Sequence, residues 1–380
     1  MTEKLQWLRL EPLDSCFFKG SEPMVAGENH TARSVFPPMP STLLGALRTA
    51  VLLQRGLDPS TYAREEKAGR DIAGRYPLLG TPERPGFKVV GPIFEATVPG
   101  GAVVRFLPAP AHWMASKQSL KRAEAMHHGA FDPCEDSAES GKSTQPQRRI
   151  GITPADLPSE FIRAVGLKGS VPEPLWALNP QAGDLAPLLD HWISVEALEE
   201  IHQGRNELSC FSDLSSYTGG PALLPLKAFY TYEERVGIAL EDRRRTAKSG
   251  YLYAASHIRL KKGVAMLLGL DRELVPSHLD AEGLLTLGGE QRLASYTLVP
   301  DRMPLPPKRG PWAVALSHFP WEELRAHNWQ NLPRISRAPV RMAGWDMKKA
   351  FHKPVTAYLA PGTSIRTADA GELPVGFYNG

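Results

Sequence analysis

The chain has 380 residues, of which 42% are hydrophobic and 22% charged, and its formal net charge is only +3. That length exceeds one ordinary compact domain, and the apolar share supports real cores, so two units are the expected count. The small net charge excludes a polycationic coat, and any nucleic-acid surface has to be a local patch. Cys16, Cys134 and Cys210 are odd in number and far apart. They argue against a disulfide framework or a CxxC metal site and for a reducing compartment. The opening M-T-E-K-L-Q-W-L-R-L carries charges and no apolar h-region, and no run approaches the ~20 apolar residues of a membrane span. A soluble, cytoplasmic protein without membrane contact is expected.

Residues 5–10 alternate and predict a first strand. The loop over residues 11–40 is long for a compact domain, and loops of that length are usually functional or disordered. Pro37, Pro38 and Pro40 fix φ and bias the preceding residues toward extended geometry, so no helix starts before Pro40. Ser41 or Thr42 then offers a side-chain N-cap. Leu43, Leu47, Ala50 and Val51 make an apolar stripe, widened by Leu44 and Leu53, and Gly56 is the natural stop. The unpaired amides of that helix face a loop bearing Arg33, Ser34 and Ser41, an arrangement suited to phosphate, although on the residues alone a well-capped core helix after a proline loop is the expectation.

Residues 88–94 and 102–107 read as strands around a Pro99-Gly100-Gly101 turn. The order strand, helix, strand, strand suits one half of a ferredoxin-like unit. Residues 132–149 are nearly devoid of apolar side chains and read as a flexible insertion. Residues 156–187 are proline-rich and irregular, and 187–201 read as a helix through Leu188, Leu189, Trp192, Ile193 and Leu198. A second unit begins near Lys227. Residues 229–240 and 250–260 read as extended, 264–270 as a short buried strand, 278–283 as a turn, and 292–300 and 312–317 as strands.

No phosphate loop, dinucleotide fingerprint, zincin motif or nucleophile elbow occurs. Leu287-Gly288-Gly289-Glu290 has the Gly-Gly-acidic form of a nucleotide-cyclase turn, but Gln291 and Arg292 follow where a further metal-binding acid is needed. His127-His128 would splay by about 100° on a helix, so one ion cannot take both. No metal and no cofactor are expected. His30 and His257 leave open metal-independent RNA cleavage through a histidine acting on a 2′-hydroxyl. Residues 227–262 hold nine cationic side chains against four acidic ones, a local excess of five. Arg243-Arg244-Arg245-Thr246-Ala247-Lys248 leads into Tyr251 and Tyr253, which pairs a phosphate grip with rings that can stack bases. A solvated loop beside core aromatics has the same pattern. A second basic stretch over 302–353 is interleaved with Trp312, Trp321, Trp329 and Trp345, for which core or subunit-interface packing is the expectation.

Several blocks together resemble one family. They are Leu13-Asp14 with Phe17-Phe18, then Ala26-Gly27-Glu28, then Ala32-Arg33-Ser34 with F-P-P-M-P-S-T-L-L-G-A-L-R-T-A. Glu234 to Leu240, Arg244 to Ala247, Gly250 to Tyr253, Ile258-Arg259-Leu260 and Leu287 to Arg292 follow in order, and Gly344-Trp345-Asp346 with Lys353-Pro354 completes the set. The chain resembles the RAMP-superfamily subunit that adjoins the large polymerase-like subunit in type III-B CRISPR (Cmr) effectors. The resemblance implies an α+β fold of two ferredoxin-like (RRM-like) domains with long insertions, placed at residues 1–225 and 226–380. It implies a subunit that cleaves nothing, holds the 5′ tag of the CRISPR guide RNA, and docks on the large subunit and the backbone RAMP subunit. Candidate RNA contacts are Arg33, Ser34, Ser41, Thr42 and Arg48 in the first domain. In the second they are Arg243, Arg244, Arg245, Lys248 and Arg292. The family's C-terminal glycine-rich loop has no close counterpart in the widely spaced Gly371, Gly376 and Gly380. A pure protein scaffold, which the tryptophans permit, is the remaining alternative.

Overall fold

The first strand, β1 (Gln6–Pro12), sets the layout, because it is covered on both flanks by strands from much later in the chain. The computed structural model describes residues 5–21, 31–81, 84–125, 148–156, 176–177, 184–240, 246–300, 303, 305, 310–343, 345–346, 351–367 and 373–380. It is a mixed α+β fold, rich in strands and poor in helices. After β1 come β2 (Thr31–Arg33), helix α1 (Pro40–Gln54), β3 (Val89–Thr97), β4 (Val103–Pro108) and β5 (His191–Ser194). The long hairpin β6 (Tyr230–Leu240) and β7 (Ala247–Leu260) follows, and then β8 (Val264–Leu270), β9 (Glu282–Thr286) and β10 (Leu293–Val299).

Leu8 pairs with Leu268 of β8 on one side and Leu298 of β10 on the other, and Met266 of β8 pairs with Phe94 of β3. The order β10-β1-β8-β3 is antiparallel throughout. The sheet continues through β9 at one end, and through β4, β5 and shorter strands at the other, to 13 strands among the described residues. It therefore crosses the boundary expected at residues 225–226. β8 is buried at every position, as a central strand covered on both faces must be.

Helix α1 begins at the residue the prolines allow. Its N-cap is Met39, in extended geometry, with Pro40 in the first turn and no side-chain cap bond. Ser41 and Thr42, expected as caps, lie inside the first turn instead, because proline at the first helical position costs no hydrogen bond there. The helix closes as expected. Gly56 takes φ 67°, its amide bonds Leu53 O at 3.0 Å, and Leu57 N bonds Leu52 O at 2.9 Å. That pair of bonds is the Schellman ending, which needs the left-handed residue glycine supplies. Leu43, Ala46, Leu47, Ala50, Val51 and Leu52 are buried, whereas Leu53 points outward at 57% exposure.

The segment expected as one helix over 187–201 divides. β5 is buried at all four positions, and Ser194 Oγ then accepts from Ala197 N at 3.2 Å to start the helix Val195–His202. Trp192 and Ile193, counted toward a helical stripe, are strand residues enclosed from both sides. Likewise the expected turn at 278–283 runs directly into β9, which pairs with β10.

The C-terminal part is built on β11 (Trp312–Ala315), flanked by β12 (Ser364–Arg366) and β13 (Phe377–Asn379). It is fastened to the end of β4. Tyr378 Oη donates to Pro108 O at 2.5 Å, Ala111 N donates to Gly362 O at 3.0 Å, and the His112 ring lies 4.5 Å from that of Trp312 at an angle of 2°. Burial pushes the His112 imidazole down to about 3, so it is neutral at that joint. The tail that carries Gly376 and Gly380 forms this buried strand. Trp321 lies under the Arg334 guanidinium at 4.4 Å, and Trp329 meets Phe377 edge-on at 5.2 Å. These tryptophans pack the C-terminal part itself. Among the described residues, no helix is long and apolar enough to cross a membrane.

Truncation inside the α1 interface leaves a cavity the sheet cannot fill. Leu47→Ala should lower the unfolding free energy by about 2–5 kcal/mol, and the outward Leu53→Ala by less than ~0.5 kcal/mol, in denaturant titrations.

Candidate nucleic-acid interface

β6 and β7 pair antiparallel, and β2 adds to the far edge of β7 in parallel, giving a three-stranded sheet in the order β6-β7-β2. Partners across a ladder share a face, so the register sorts the side chains. One face carries Glu233, Arg235, Ala255, His257 and Arg259, and it is turned toward the 13–20 loop and the 287–292 turn. The other carries Tyr232, Glu234, Val236, Ile238, Ser256 and Arg33. The charged face is the covered one. The outward face exposes Tyr232 at 53%, Val236 at 70% and Ile238 at 50%.

Asp14 explains this inversion. Its carboxylate accepts from Arg259 Nη2 at 2.6 Å, Arg235 Nη2 at 3.2 Å and Arg292 Nη1 at 3.2 Å. The hydrogen bond from Arg259 foremost, then those from the Ser15 amide and Arg235, hold the Asp14 carboxyl down at about 2. Glu233 receives Arg235 Nε at 2.9 Å and Arg259 Nε at 2.7 Å. Ser15 Oγ accepts from Arg235 at 2.8 Å and lies 3.5 Å from His257 Nδ1. In the 287–292 turn, Glu290 and Gln291 both take left-handed backbone, with φ 57° and 51°. This sets the Glu290 carboxylate 3.0 Å from Arg292 Nη2 and 3.5 Å from His257 Nε2. His257 is buried and its ring lies 5.3 Å from that of Phe17, and burial lowers its pKa. Three guanidinium groups therefore meet three carboxylates, and the cluster is nearly neutral. The cyclase-like turn thus presents its acid to an arginine and a histidine. Further out, Tyr253 lies across Gly237, where a side chain at 237 would displace the ring.

The candidate contacts fall into distinct places. Arg33 is exposed on the outward face and makes no ion pair among the described residues. Ser34 is buried, and its Oγ accepts from Phe18 N at 3.1 Å, which fixes the loop beside β2. Ser41 is exposed in the first turn of α1 and Thr42 is half-buried there. Arg48 donates to Tyr62 Oη at 2.6 Å and Gly80 O at 3.3 Å, with its guanidinium 5.6 Å from the Tyr62 ring, so it ties α1 to the helix Pro59–Lys67. Arg292 is engaged by Asp14 and Glu290. Arg243, Arg244, Arg245 and His30 lie outside the described residues, as does the Lys248 side chain, whose backbone belongs to β7. Arg33, Ser34 and Arg292 gather around the three-stranded sheet, and Arg48 belongs to another neighbourhood. Sequence reasoning missed Asp14 as a hub and Tyr232, Val236 and Ile238 as an outward stripe. The alternation Tyr232, Glu234, Val236, Ile238 against Glu233, Arg235, Gly237 marks two unlike faces, though not which one faces out.

A carboxyl whose folded pKa is depressed contributes stability that is complete above its ordinary value of 3.8 and disappears as pH falls through about 2. Asp14→Asn should therefore lower the melting temperature by a few degrees near neutral pH, since the group is half exposed. The gap from the unaltered protein should close as the pH of the thermal scans is brought down to about 2.

A family model described as CRISPR-associated protein (Cas_Cmr3) matches residues 8–313. The CRISPR system CMR subunit Cmr3 of Saccharolobus solfataricus (strain ATCC 35092 / DSM 1617 / JCM 11322 / P2) is 30% identical over 63 residues, which is 17% of this chain and 20% of that protein. The match thus spans about a fifth of that relative's length. Among solved structures, a chain of the type III-B Cmr-beta complex bound to cognate target RNA and AMPPnP superposes with a TM-score of 0.47 at 15% identity, covering 95% of this chain and 86% of that one. A chain of the Csm3-Csm4 subcomplex of the type III-A CRISPR-Cas interference complex gives 0.37 at 10% identity, covering 99% and 97%. With its model aligned across most of the sequence, from β1 into β11, the chain belongs to the Cmr3 family of CRISPR-associated proteins.

Proposed function

We propose that this chain is the guide-RNA-binding subunit of a type III-B CRISPR effector, working in the cytoplasm. In this reading it holds the repeat-derived 5′ tag of the guide and docks between the large polymerase-like subunit and the backbone RAMP subunit. The observation that carries the reading is the outward face of the three-stranded sheet. Tyr232 and Arg33, which has no ion pair among the described residues, stand exposed there, a stacking ring and a guanidinium of the kind that holds single-stranded RNA. Val236 and Ile238, nearer the hairpin tip, extend that face with aliphatic surface suited to a neighbouring subunit.

Two further parts of the reading have support in the geometry. The antiparallel order β10-β1-β8-β3, with α1 between β1 and β3, is the last-first-third-second arrangement of a ferredoxin-like unit. Its third and last strands come from beyond residue 225, and a second such unit would lie in the remaining strands. Burial of His257 places its imidazole out of reach of a 2′-hydroxyl, which favours a subunit that binds without cutting over a histidine-dependent ribonuclease.

Anisotropy titrations of a labelled guide RNA against salt test the surface. Tyr232→Ala should weaken binding by about 1–3 kcal/mol for a lost stacking partner. Arg33→Ala should flatten the salt slope by about 0.7 for one released phosphate contact on single-stranded RNA. Unchanged affinity and slope in both variants would assign the outward face to protein docking instead. Incubated with labelled guide precursor, with or without Mg²⁺, the protein should leave it intact. Cleavage that disappears in His30→Ala would establish the nuclease reading.

A further inference from the structure

Where the proline loop, the end of β4, the start of β5 and the C-terminal part converge, they leave a cavity of about 230 Å³. That is below the range of pockets that hold drug-sized ligands and admits one small ring system. Its walls include Phe36, Pro37, Trp192 and Val340. The aromatic walls are held from behind. Phe36 lies 5.7 Å from Phe94 and 4.6 Å from Tyr230, and Trp192 lies 4.4 Å from Phe94. Such rings cannot fold into the space, so it stays open.

The polar groups are few and differ in kind. His318 lines the cavity, is 5% exposed, and its Nδ1 has no hydrogen-bond partner among the described residues. Burial pushes its imidazole down to about 4, so the ring is neutral and can accept or donate according to tautomer. Asp190 and Arg337, paired with each other and each about half exposed, mark the solvent side. Asp190 holds a left-handed backbone at φ 61°, with its carbonyl bound by Leu226 N at 2.8 Å, so its place is set by the fold.

A buried ring nitrogen without a partner is costly, and a ligand that supplies one recovers that cost. The occupant has to be flat, apolar on its faces and polar on its edge. At the mouth it must leave through a site offering both a guanidinium and a carboxylate. A hydrocarbon chain fails the edge requirement, and a lone metal ion leaves the aromatic walls without contact. A nucleobase meets every condition, with its edge toward His318 and its ribose phosphate leaving past Arg337. We propose that this cavity receives a single unstacked nucleobase. The inference rests on the RNA-binding reading for its source, which is one splayed-out base of the guide; a free nucleotide offers the same chemistry.

The test is a double-mutant cycle on the full chain. Guide RNAs each lacking one base are titrated against the unaltered protein and against Ala338→Trp, which fills the cavity from an exposed lining position, and His318→Leu. AMP, GMP, CMP and UMP are titrated in parallel, and thermal melts establish that each variant is folded. One abasic position should cost the unaltered protein about tenfold in affinity. The same position should cost Ala338→Trp nothing, because the pocket is already lost. If the guide binds but no abasic position matters, or the penalty persists in Ala338→Trp, the pocket inference falls and the RNA-binding reading stands. If mononucleotides bind and Ala338→Trp abolishes it while guide RNA does not bind, the pocket stands and the RNA-binding reading falls. If neither guide nor mononucleotide binds, both fall.

Discussion

One carboxylate decides which way the hairpin faces. Asp14 gathers guanidinium groups from β6, β7 and the 287–292 turn, and it does so from the loop directly after β1. Buried or half-buried arginines are tolerable only with partners, and breaking such a set strands the remaining charges. With the set complete, the charged face of the hairpin can lie against the body of the protein. The apolar face then has nowhere to go but outward. The exposed Tyr232, Val236 and Ile238 are a consequence of where the ion pairs are, and the surface proposed for RNA follows from an electrostatic requirement on the opposite side of the same strands.

That arrangement also explains why charge counting along the chain overstates the free charge. Residues 227–262 carry an excess of five positive charges, yet Arg235 and Arg259 are matched by Asp14 and Glu233, and Lys261 by Asp213. Asp14 and Asp213 lie outside the counted window. What remains free on the described part of the outward face is a single guanidinium, Arg33, supported by a ring and aliphatic groups. Recognition on such a surface leans on stacking and shape more than on long-range attraction, as suits a chain with little net charge.

Much of the fold was legible where a local pattern has one solution. The prolines, stripe and glycine of α1 located both of its ends, and the continuous apolar run of β8 marked a covered central strand. The two unlike faces of β6 were visible in its alternation. Illegible parts were those decided by distant partners. Trp192 and Ile193 fit a helical stripe as well as a buried strand until β4 is known to lie beside them. Ser41 was a good cap on paper, but Pro40 claims the first helical position. Arg48 and Arg292 looked like free cations, since nothing near them in sequence announces Tyr62, Gly80 or Asp14. The family resemblance carried the functional reading further than residue patterns did, and the family model bears out membership.

The pairing of β1 with β8 and β10 has a consequence for biosynthesis. Leu8 leaves the ribosome well over two hundred residues before its neighbours Leu268 and Leu298. Contacts so far apart in sequence carry a large loop-closure cost and slow the search for the native state. During translation β1 must wait with both edges unpaired, which is the condition that invites chaperone capture or strand-to-strand misassembly. A nascent chain of this design stays vulnerable until β10 has been synthesised, and abundance in the cell should track how well that interval is protected.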